Sequence, residues 1–516
     1  MSITALLERS ALLHGDKVAI VDGDRQITYA ELRDRVARLA AGLKGMGVNK
    51  GDRVGILSLN SHRYVESLFA IAWAGAIPAP LNYRLAEREI GGIVDFVETG
   101  LLIADDEHRD LARSLVSSRP RMTLVHASEK AAKGMTGYEE LLTRASPADP
   151  VDLGWDDTAA LFFTGGTTGL PKGVMQTHGN LISSALIYVG VFQMTNETVL
   201  LSAAGLFHVA ASAVLLPALM AGGRVVLMSR FTADGFLDMV ERHHATFTNG
   251  VPTMLRMITN QPGVSQRQLG SVRTLLYGGS PMQRDIMASV IDTFPNARCF
   301  NTYGQTELTS AASISAGVVS GDDLSDAEAW STIGTALPGM EIRVVAENGG
   351  VCASDEVGEL LVRGPLVMKG YYRNAEATAQ TLRDGWLHTG DLARIDANGR
   401  AFLVDRKKDM IVTGGENVYS AEVEAALRLH PAVADCAVFG LPDANWGERV
   451  HALIVTKPET QATEEEISAH CRLHIAGYKC PRSMEIRTEP LPLSGAGKVA
   501  KAALRQEAME RTAESC

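Results

Sequence analysis

Two rhythms of apolar and polar residues divide this chain. In the first part, short apolar runs alternate with segments whose apolar residues recur at helical spacing. Val54-Gly55-Ile56-Leu57 reads as a strand, the segment from Tyr64 to Ala74 as a helix, and Ala76-Ile77-Pro78-Ala79-Pro80 as the next strand. Further on, Arg224-Val225-Val226-Leu227-Met228 reads as a strand and Ala233 to His243 as a helix. This alternation predicts a layered α/β architecture with parallel sheets. From Ile342 to Val404 the rhythm changes. Runs of β type recur between glycines, as in Ile342-Arg343-Val344-Val345, Glu359-Leu360-Leu361-Val362 and Ala401-Phe402-Leu403-Val404. They predict a mostly antiparallel, β-rich subdomain. The charged cluster Asp405-Arg406-Lys407-Lys408-Asp409 then precedes a final α+β region. A domain boundary is expected at such a break, giving a large N-terminal domain over 1–405 and a small α+β C-terminal domain over 409–516.

The bulk properties narrow the function classes. The 516 residues, 46% of them hydrophobic, suffice for two or more domains with large cores. A formal net charge of -11 argues against non-specific nucleic-acid binding. Cys299, Cys352, Cys436, Cys471, Cys480 and Cys516 are scattered without C-x-x-C spacing, which fits a reducing compartment and no structural zinc. The most apolar stretch, Val209 to Gly223, contains Pro217 and falls short of the ~20 residues that span a bilayer. The first residues lack a basic segment followed by an apolar one, so no signal peptide is expected. A soluble cytoplasmic protein without a transmembrane segment is the expectation.

The densest chemistry lies in Phe163-Thr164-Gly165-Gly166-Thr167-Thr168-Gly169-Leu170-Pro171-Lys172-Gly173. Glycines let a backbone turn sharply and present its N–H groups at close range. Threonine hydroxyls add donors and Lys172 a positive charge, which suits the phosphates of a nucleotide. The apolar Leu161-Phe162-Phe163 predicts a buried strand feeding the loop. The nucleoside-triphosphate pattern GxxxxGK[ST] does not fit, because Pro171 precedes Lys172 and Gly173 follows it. The stretch instead resembles the T-S-G-T-T-G-x-P-K-G element of the adenylate-forming superfamily, which includes acyl-CoA synthetases, peptide-synthetase adenylation domains and beetle luciferase. It departs once, with Gly165 where serine is usual.

Further elements resemble the same family in the same order. Tyr303-Gly304-Gln305-Thr306-Glu307 is by itself an ordinary turn. Its similarity to Y-G-x-T-E implies Mg²⁺ coordination by Glu307, as a hard cation bridging phosphates prefers carboxylate oxygen, and a phosphate contact for Thr306. Gly278-Gly279-Ser280-Pro281-Met282 resembles G-G-A-P-L, whose backbone lies along the adenine and the acyl pocket. Gly385-Trp386-Leu387-His388-Thr389-Gly390-Asp391 resembles G-W-x-x-T-G-D, which implies that Asp391 grips both ribose hydroxyls. Arg406 matches the arginine supporting that ribose, and Lys408 the family's hinge position, so the hinge is expected over 406–408.

Near the end, Leu491-Pro492-Leu493-Ser494-Gly495-Ala496-Gly497-Lys498 resembles L-P-x-T-x-x-G-K, with Ser494 for threonine. The resemblance makes Lys498 the residue that stabilises carboxylate attack on the α-phosphate. The segment starting at Gly495 also fits the dinucleotide pattern, but too few residues follow to complete a βαβ unit. His208 sits where the family places a histidine or aromatic residue beside the acid, although a lone histidine suits a structural role equally well. The acyl-lining set implied is His208, Val209, Ala210, Ala211, Ser212, Gly278, Gly279, Gly304, Leu308 and Thr309. Gly414, Gly415, Glu416 and Trp446 match positions near coenzyme A.

Together the resemblances imply an ATP- and Mg²⁺-dependent acyl-CoA synthetase. Its nucleotide set would be Thr164, Gly165, Gly166, Thr167, Thr168, Gly169, Lys172, Gly279, Ser280, Tyr303, Gly304, Gln305, Thr306, Asp391, Arg406 and Lys498. A small-molecule carboxylic acid and coenzyme A would be its substrates, and family members include monomers and homodimers. No acyl-lining residue is an arginine or lysine, so an unpaired second carboxylate would cost several kcal/mol. Medium- to long-chain fatty or aryl monocarboxylates are therefore expected over acetate and malonate. Two alternatives from other classes stand beside this reading: an adenylating enzyme that loads a carrier protein, and a luciferase-like oxygenase.

Overall fold

The apolar runs singled out above become strands. The computed structural model describes residues 2–164, 172–318, 324–413, 416–443, 445–458, 460, 462–493 and 499–514. The run at Val54 is the strand Arg53–Leu57, followed by the helix His62–Trp73 and the strand Ile77–Pro80. With Leu101–Ala104, Thr123–His126 and Thr136–Gly137, these strands form an all-parallel sheet. Arg224–Leu227 and the helix Ala233–His243 also appear where expected.

Arg224–Leu227 belongs to a larger sheet of nine strands among the described residues. Its central strands, Arg298–Tyr303, Thr274–Gly278, Phe247–Gly250, Val199–Ser202, Arg224–Leu227 and Val18–Asp22, lie in that order and run parallel. Short antiparallel strands flank them. The core on one face gathers Phe236, Leu237 and Val240 of the helix Ala233–His243 with Leu275, Tyr277, Met287 and Val290. Local signals set helix starts, as at Tyr29–Gly45. There the Thr28 hydroxyl accepts the Glu31 N–H at 3.2 Å and the Glu31 carboxylate accepts the Thr28 N–H at 2.8 Å.

The chain resolves into two compact units: Met1–Ile342 with Val362–Leu387, and Arg343–Leu361 with His388–Cys516. The first holds both parallel sheets and an antiparallel sheet of Thr158–Thr164, Lys172–Thr177 and Gly370–Tyr371. Of the β-rich region anticipated from Ile342 to Val404, the second holds Arg343–Leu361 and the residues from His388 onward, while Val362–Leu387 belongs to the first; the strand Trp386–Ile395, which crosses that division, pairs antiparallel with Ala401–Arg406. The second unit also contains a sheet centred on the long hairpin Val433–Asp443 and Gly447–Thr456, with the helices Ser420–Arg428, Glu464–His474 and Lys501–Glu514. The expected break at residue 405 lies inside this unit, because polar contacts span it. Ser420 Oγ donates to Asp405 Oδ1 at 3.2 Å and the Ala421 N–H to Oδ2 at 3.4 Å. Lys501 Nζ reaches Ser420 Oγ at 2.8 Å and Glu424 Oε1 at 2.6 Å. Burial pushes the Asp405 carboxyl above its usual value. No described helix is long and apolar enough to cross a membrane.

Candidate active site

The expected strand before the Gly/Thr stretch is Thr158–Thr164, with Ala159 to Phe162 buried. It pairs antiparallel with Lys172–Thr177 so that Thr164 lies opposite Lys172. The sheet thus brings together the two ends of the stretch. Gly165, Gly166, Thr167, Thr168 and Gly169 lie outside the described residues, as do Gly414, Gly415 and Lys498.

Gly278 and Tyr303 end adjacent parallel strands, with Gly278 opposite Thr302. Crevices beyond the carboxyl ends of parallel strands are where open α/β sheets bind ligands. Here two glycines are required by space and conformation. A Cβ on Gly304 would stand 1.7 Å from the Ser310 carbonyl oxygen, and Gly279 has φ +80. After Gly304 the chain turns through the 3₁₀ helix Thr306–Leu308 and leaves with Thr309 at φ +51 and Ser310 at φ +98. Non-glycine residues in that region are held there by their surroundings.

The surroundings are specific. Buried Gln176 donates from Nε2 to the Thr306 carbonyl at 2.5 Å and accepts the Thr309 hydroxyl on Oε1 at 2.5 Å. The Met368 N–H donates to the Glu307 carbonyl at 2.8 Å. The half-buried Glu307 side chain accepts the Tyr371 hydroxyl on Oε1 at 2.7 Å. Burial, then the Glu307 charge, pushes the Tyr371 phenol well above its ordinary value, so it remains a donor. Lys172 Nζ lies 4.6 Å from the centroid of the Tyr371 ring. Among the described residues nothing donates to Glu307 Oε2. One open, half-buried carboxylate oxygen fits a Mg²⁺ ion, which keeps waters and phosphate oxygens as its other ligands.

The acyl set separates by exposure. His208 is half-buried at the N-cap of the helix Val209–Met220, its ring 4.2 Å from that of Phe207, and Ala210 is exposed. Val209 packs on Ala160 and Phe162, and Ala211 and Leu308 are fully buried. Buried Ser212 lines a small apolar cavity of about 20 Å³ beside Ala159 and Leu215. The loop before His208 is fixed by Asn60, which accepts the Leu206 N–H at 2.8 Å and donates to the Ala204 carbonyl at 2.8 Å. Tyr83 meets Phe207 edge-on at 5.0 Å, and the exposed Arg84 guanidinium lies 5.8 Å from both rings. Ser280 is exposed, and Gln305 and Thr306 are half-buried.

In the second unit, Asp391 and Arg406 are cross-strand partners, and Arg406 Nε meets Asp391 Oδ1 at 2.6 Å. The Thr389 hydroxyl holds this corner, donating to the Leu360 carbonyl at 2.6 Å and accepting the Asp391 N–H at 3.1 Å. Nearby, burial would raise the Glu359 carboxyl, but the hydrogen bond from Lys407 Nζ at 3.1 Å, the Lys407 charge and the contact with His388 together keep the group below its usual value. Lys408 and Glu416 are exposed. Trp446 is 42% exposed, with the Arg482 guanidinium 4.1 Å from its ring centroid.

Sequence reasoning missed Gln176, Asn60 and Tyr371. A lone amide among the apolar residues of Val174-Met175-Gln176 was the one available signal, since a buried amide requires partners.

Comparison with known proteins agrees with this chemistry. Residues 7–372 match the AMP-binding enzyme family and residues 422–498 the AMP-binding enzyme C-terminal domain. A feruloyl-CoA synthase of Amycolatopsis sp is 39% identical over 501 residues, covering 96% of this chain and 97% of the relative. The crystal structure of ATP-bound MatB from Rhodopseudomonas palustris superposes with a TM-score of 0.89 at 30% identity, covering 99% of each chain. O-succinylbenzoate coenzyme A synthetase (MenE) from Bacillus subtilis, in complex with ATP and magnesium ion, gives 0.84 at 30% identity, covering 97% of this chain and 99% of that one. The chain belongs to the AMP-binding enzyme family, among the acyl-CoA synthetases and ligases of the adenylate-forming superfamily.

Proposed function

We propose that this protein activates an aryl-substituted monocarboxylic acid with ATP and transfers the acyl group to coenzyme A. The observation that carries the reading is the convergence, in one unit, of Thr164 and Lys172 at the ends of the Gly/Thr stretch with Tyr371 and Glu307. The acid's carboxylate oxygen attacks the α-phosphorus, the bond to the β-phosphate oxygen breaks, and pyrophosphate leaves. The thiol of coenzyme A then attacks the acyl carbonyl and AMP leaves.

The protein's part is positioning and electrostatic stabilisation. Thr164, Lys172, Thr306 and the Gly/Thr stretch hold phosphates, and the backbone at Gly278 to Ser280 and Tyr303 to Gln305 borders the adenine and the acid. Asp391, with Arg406, takes the ribose hydroxyls, and Lys498 stabilises the attack. Glu307 would hold Mg²⁺, which neutralises phosphate charge when bound. The stretch 406–408 is the hinge for a mobile C-terminal domain, with Gly414, Gly415, Glu416 and Trp446 near coenzyme A. The scattered free cysteines favour a cytoplasmic site of action.

The aryl preference rests on the 39% identity to a feruloyl-CoA synthase and on an acyl-lining set free of lysine and arginine. Arg84 lies next to that set, so dicarboxylates belong in the test. CoA-dependent pyrophosphate release is measured with acetate, malonate, octanoate and ferulate. Ferulate should give the highest kcat/KM, with octanoate ahead of acetate because each buried CH₂ adds ~0.8 kcal/mol. Acetate or malonate as the best substrate would refute the reading.

A further inference from the structure

We propose that Tyr371 is a positioning residue for the Glu307 carboxylate, holding Oε1 so that Oε2 is presented to the cation. The proposal rests on the reading of Glu307 as the Mg²⁺ contact and adds a residue to it. Three observations support it. The Tyr371 hydroxyl reaches Glu307 Oε1 at 2.7 Å across 64 residues of sequence. Tyr371 is itself fixed, buried in register opposite Val174, with its N–H donating to Thr378 Oγ1 at 2.9 Å. Before it, Gly370 adopts φ +146, where an added Cβ would stand 2.8 Å from Thr378 Cγ2. Tyr371 packs with Val174, Met368 and Ala377, and the Lys172 ammonium lies 4.6 Å from its ring centroid. A cation over the face withdraws electron density from the phenol and makes its O–H the stronger donor.

An unheld glutamate samples several rotamers, and only some would present an oxygen to a cation. One charge-assisted hydrogen bond removes that freedom. The residue connects the strand carrying Lys172 to the turn carrying Glu307.

Tyr371→Phe removes the hydroxyl and keeps the ring, Glu307→Gln removes the charge, and the double variant combines them. ATP binding is titrated calorimetrically with Mg²⁺ and with EDTA. Pyrophosphate release and the conversion of preformed acyl-adenylate to thioester are then timed separately. For Tyr371→Phe, the Mg²⁺-dependent gain in ATP affinity should fall about tenfold, the lower end of losing a hydrogen bond to a charged group. Affinity in EDTA and thioester formation should stay at the wild-type level. In the Glu307→Gln background, Tyr371→Phe should add nothing. An unchanged Mg²⁺-dependent affinity in Tyr371→Phe, with a clear loss in Glu307→Gln, overturns the role of Tyr371 alone. No loss in Glu307→Gln overturns the reading of Glu307. If Tyr371→Phe does not fold, Thr378→Val, which loosens the Tyr371 backbone, should lower the same Mg²⁺-dependent gain, and an unchanged gain overturns the proposal.

Discussion

Replacing His178 by asparagine should flatten the acid side of the stability profile. His178 is 1% exposed at the start of the helix His178–Val191, and its Nδ1 accepts the Ile3 N–H at 3.3 Å. Burial pushes the imidazole down from 6.5 to about 4, more than the charge of Asp157 can offset. The unfolded chain therefore binds a proton that the folded chain refuses. Stability is fully present above the ordinary histidine value and falls as pH drops toward the folded one. Linkage puts the loss from this residue at about 2 kcal/mol between about pH 7.5 and pH 5. His451, likewise pushed down to about 4 by burial, adds a slope of the same sign. Asparagine can keep an acceptor for the Ile3 N–H while carrying no titrating group. Urea unfolding of both proteins across this range should show wild type losing ~2 kcal/mol more than His178→Asn. Parallel pH profiles would refute the argument, since they would mean that the ring is charged or hydrated in the folded state.

Three further outcomes follow from the site. Gly304→Ala places a Cβ 1.7 Å from the Ser310 carbonyl. The turn must move by more than 1 Å, so adenylation should slow about 100-fold and stability fall by ~1–3 kcal/mol; wild-type kinetics would remove the turn from the active site. Lys498→Ala should lose acid activation by a factor of about 10²–10³ while still converting preformed acyl-adenylate, and equal damage to both steps would sink its assignment. Lys408→Pro, which fixes φ in the 406–408 stretch, should form acyl-adenylate but transfer it poorly, whereas normal thioester formation would contradict a hinge there.

The local parts of this fold were readable in the sequence because they are set by local periodicity. The helix Ala233–His243 and the strand Arg53–Leu57 needed only their own apolar spacing. Sheet order was not readable in that way. Val18–Asp22 joins the large sheet beside Arg224–Leu227, a pairing between segments with no mark of each other in their patterns. The same limit applies to the site. Glu307, Asp391 and Arg406 stood out through motif resemblance, while Gln176 and Asn60 act on backbone 130 and 146 residues away. A buried amide's importance lies in what faces it, and that is a property of the folded chain.

The polar stitch at Asp405 bears on the hinge proposed at residues 406–408. Turning there would part Asp405 from Ser420 and Ala421, which lie on the other side of that stretch. Those hydrogen bonds favour the arrangement seen here, yet burial makes the ionised Asp405 costly to keep. Exposing the carboxylate to water would return part of what the broken bonds cost. The cost of dehydrating the charge thus offsets part of what those hydrogen bonds contribute to holding this arrangement.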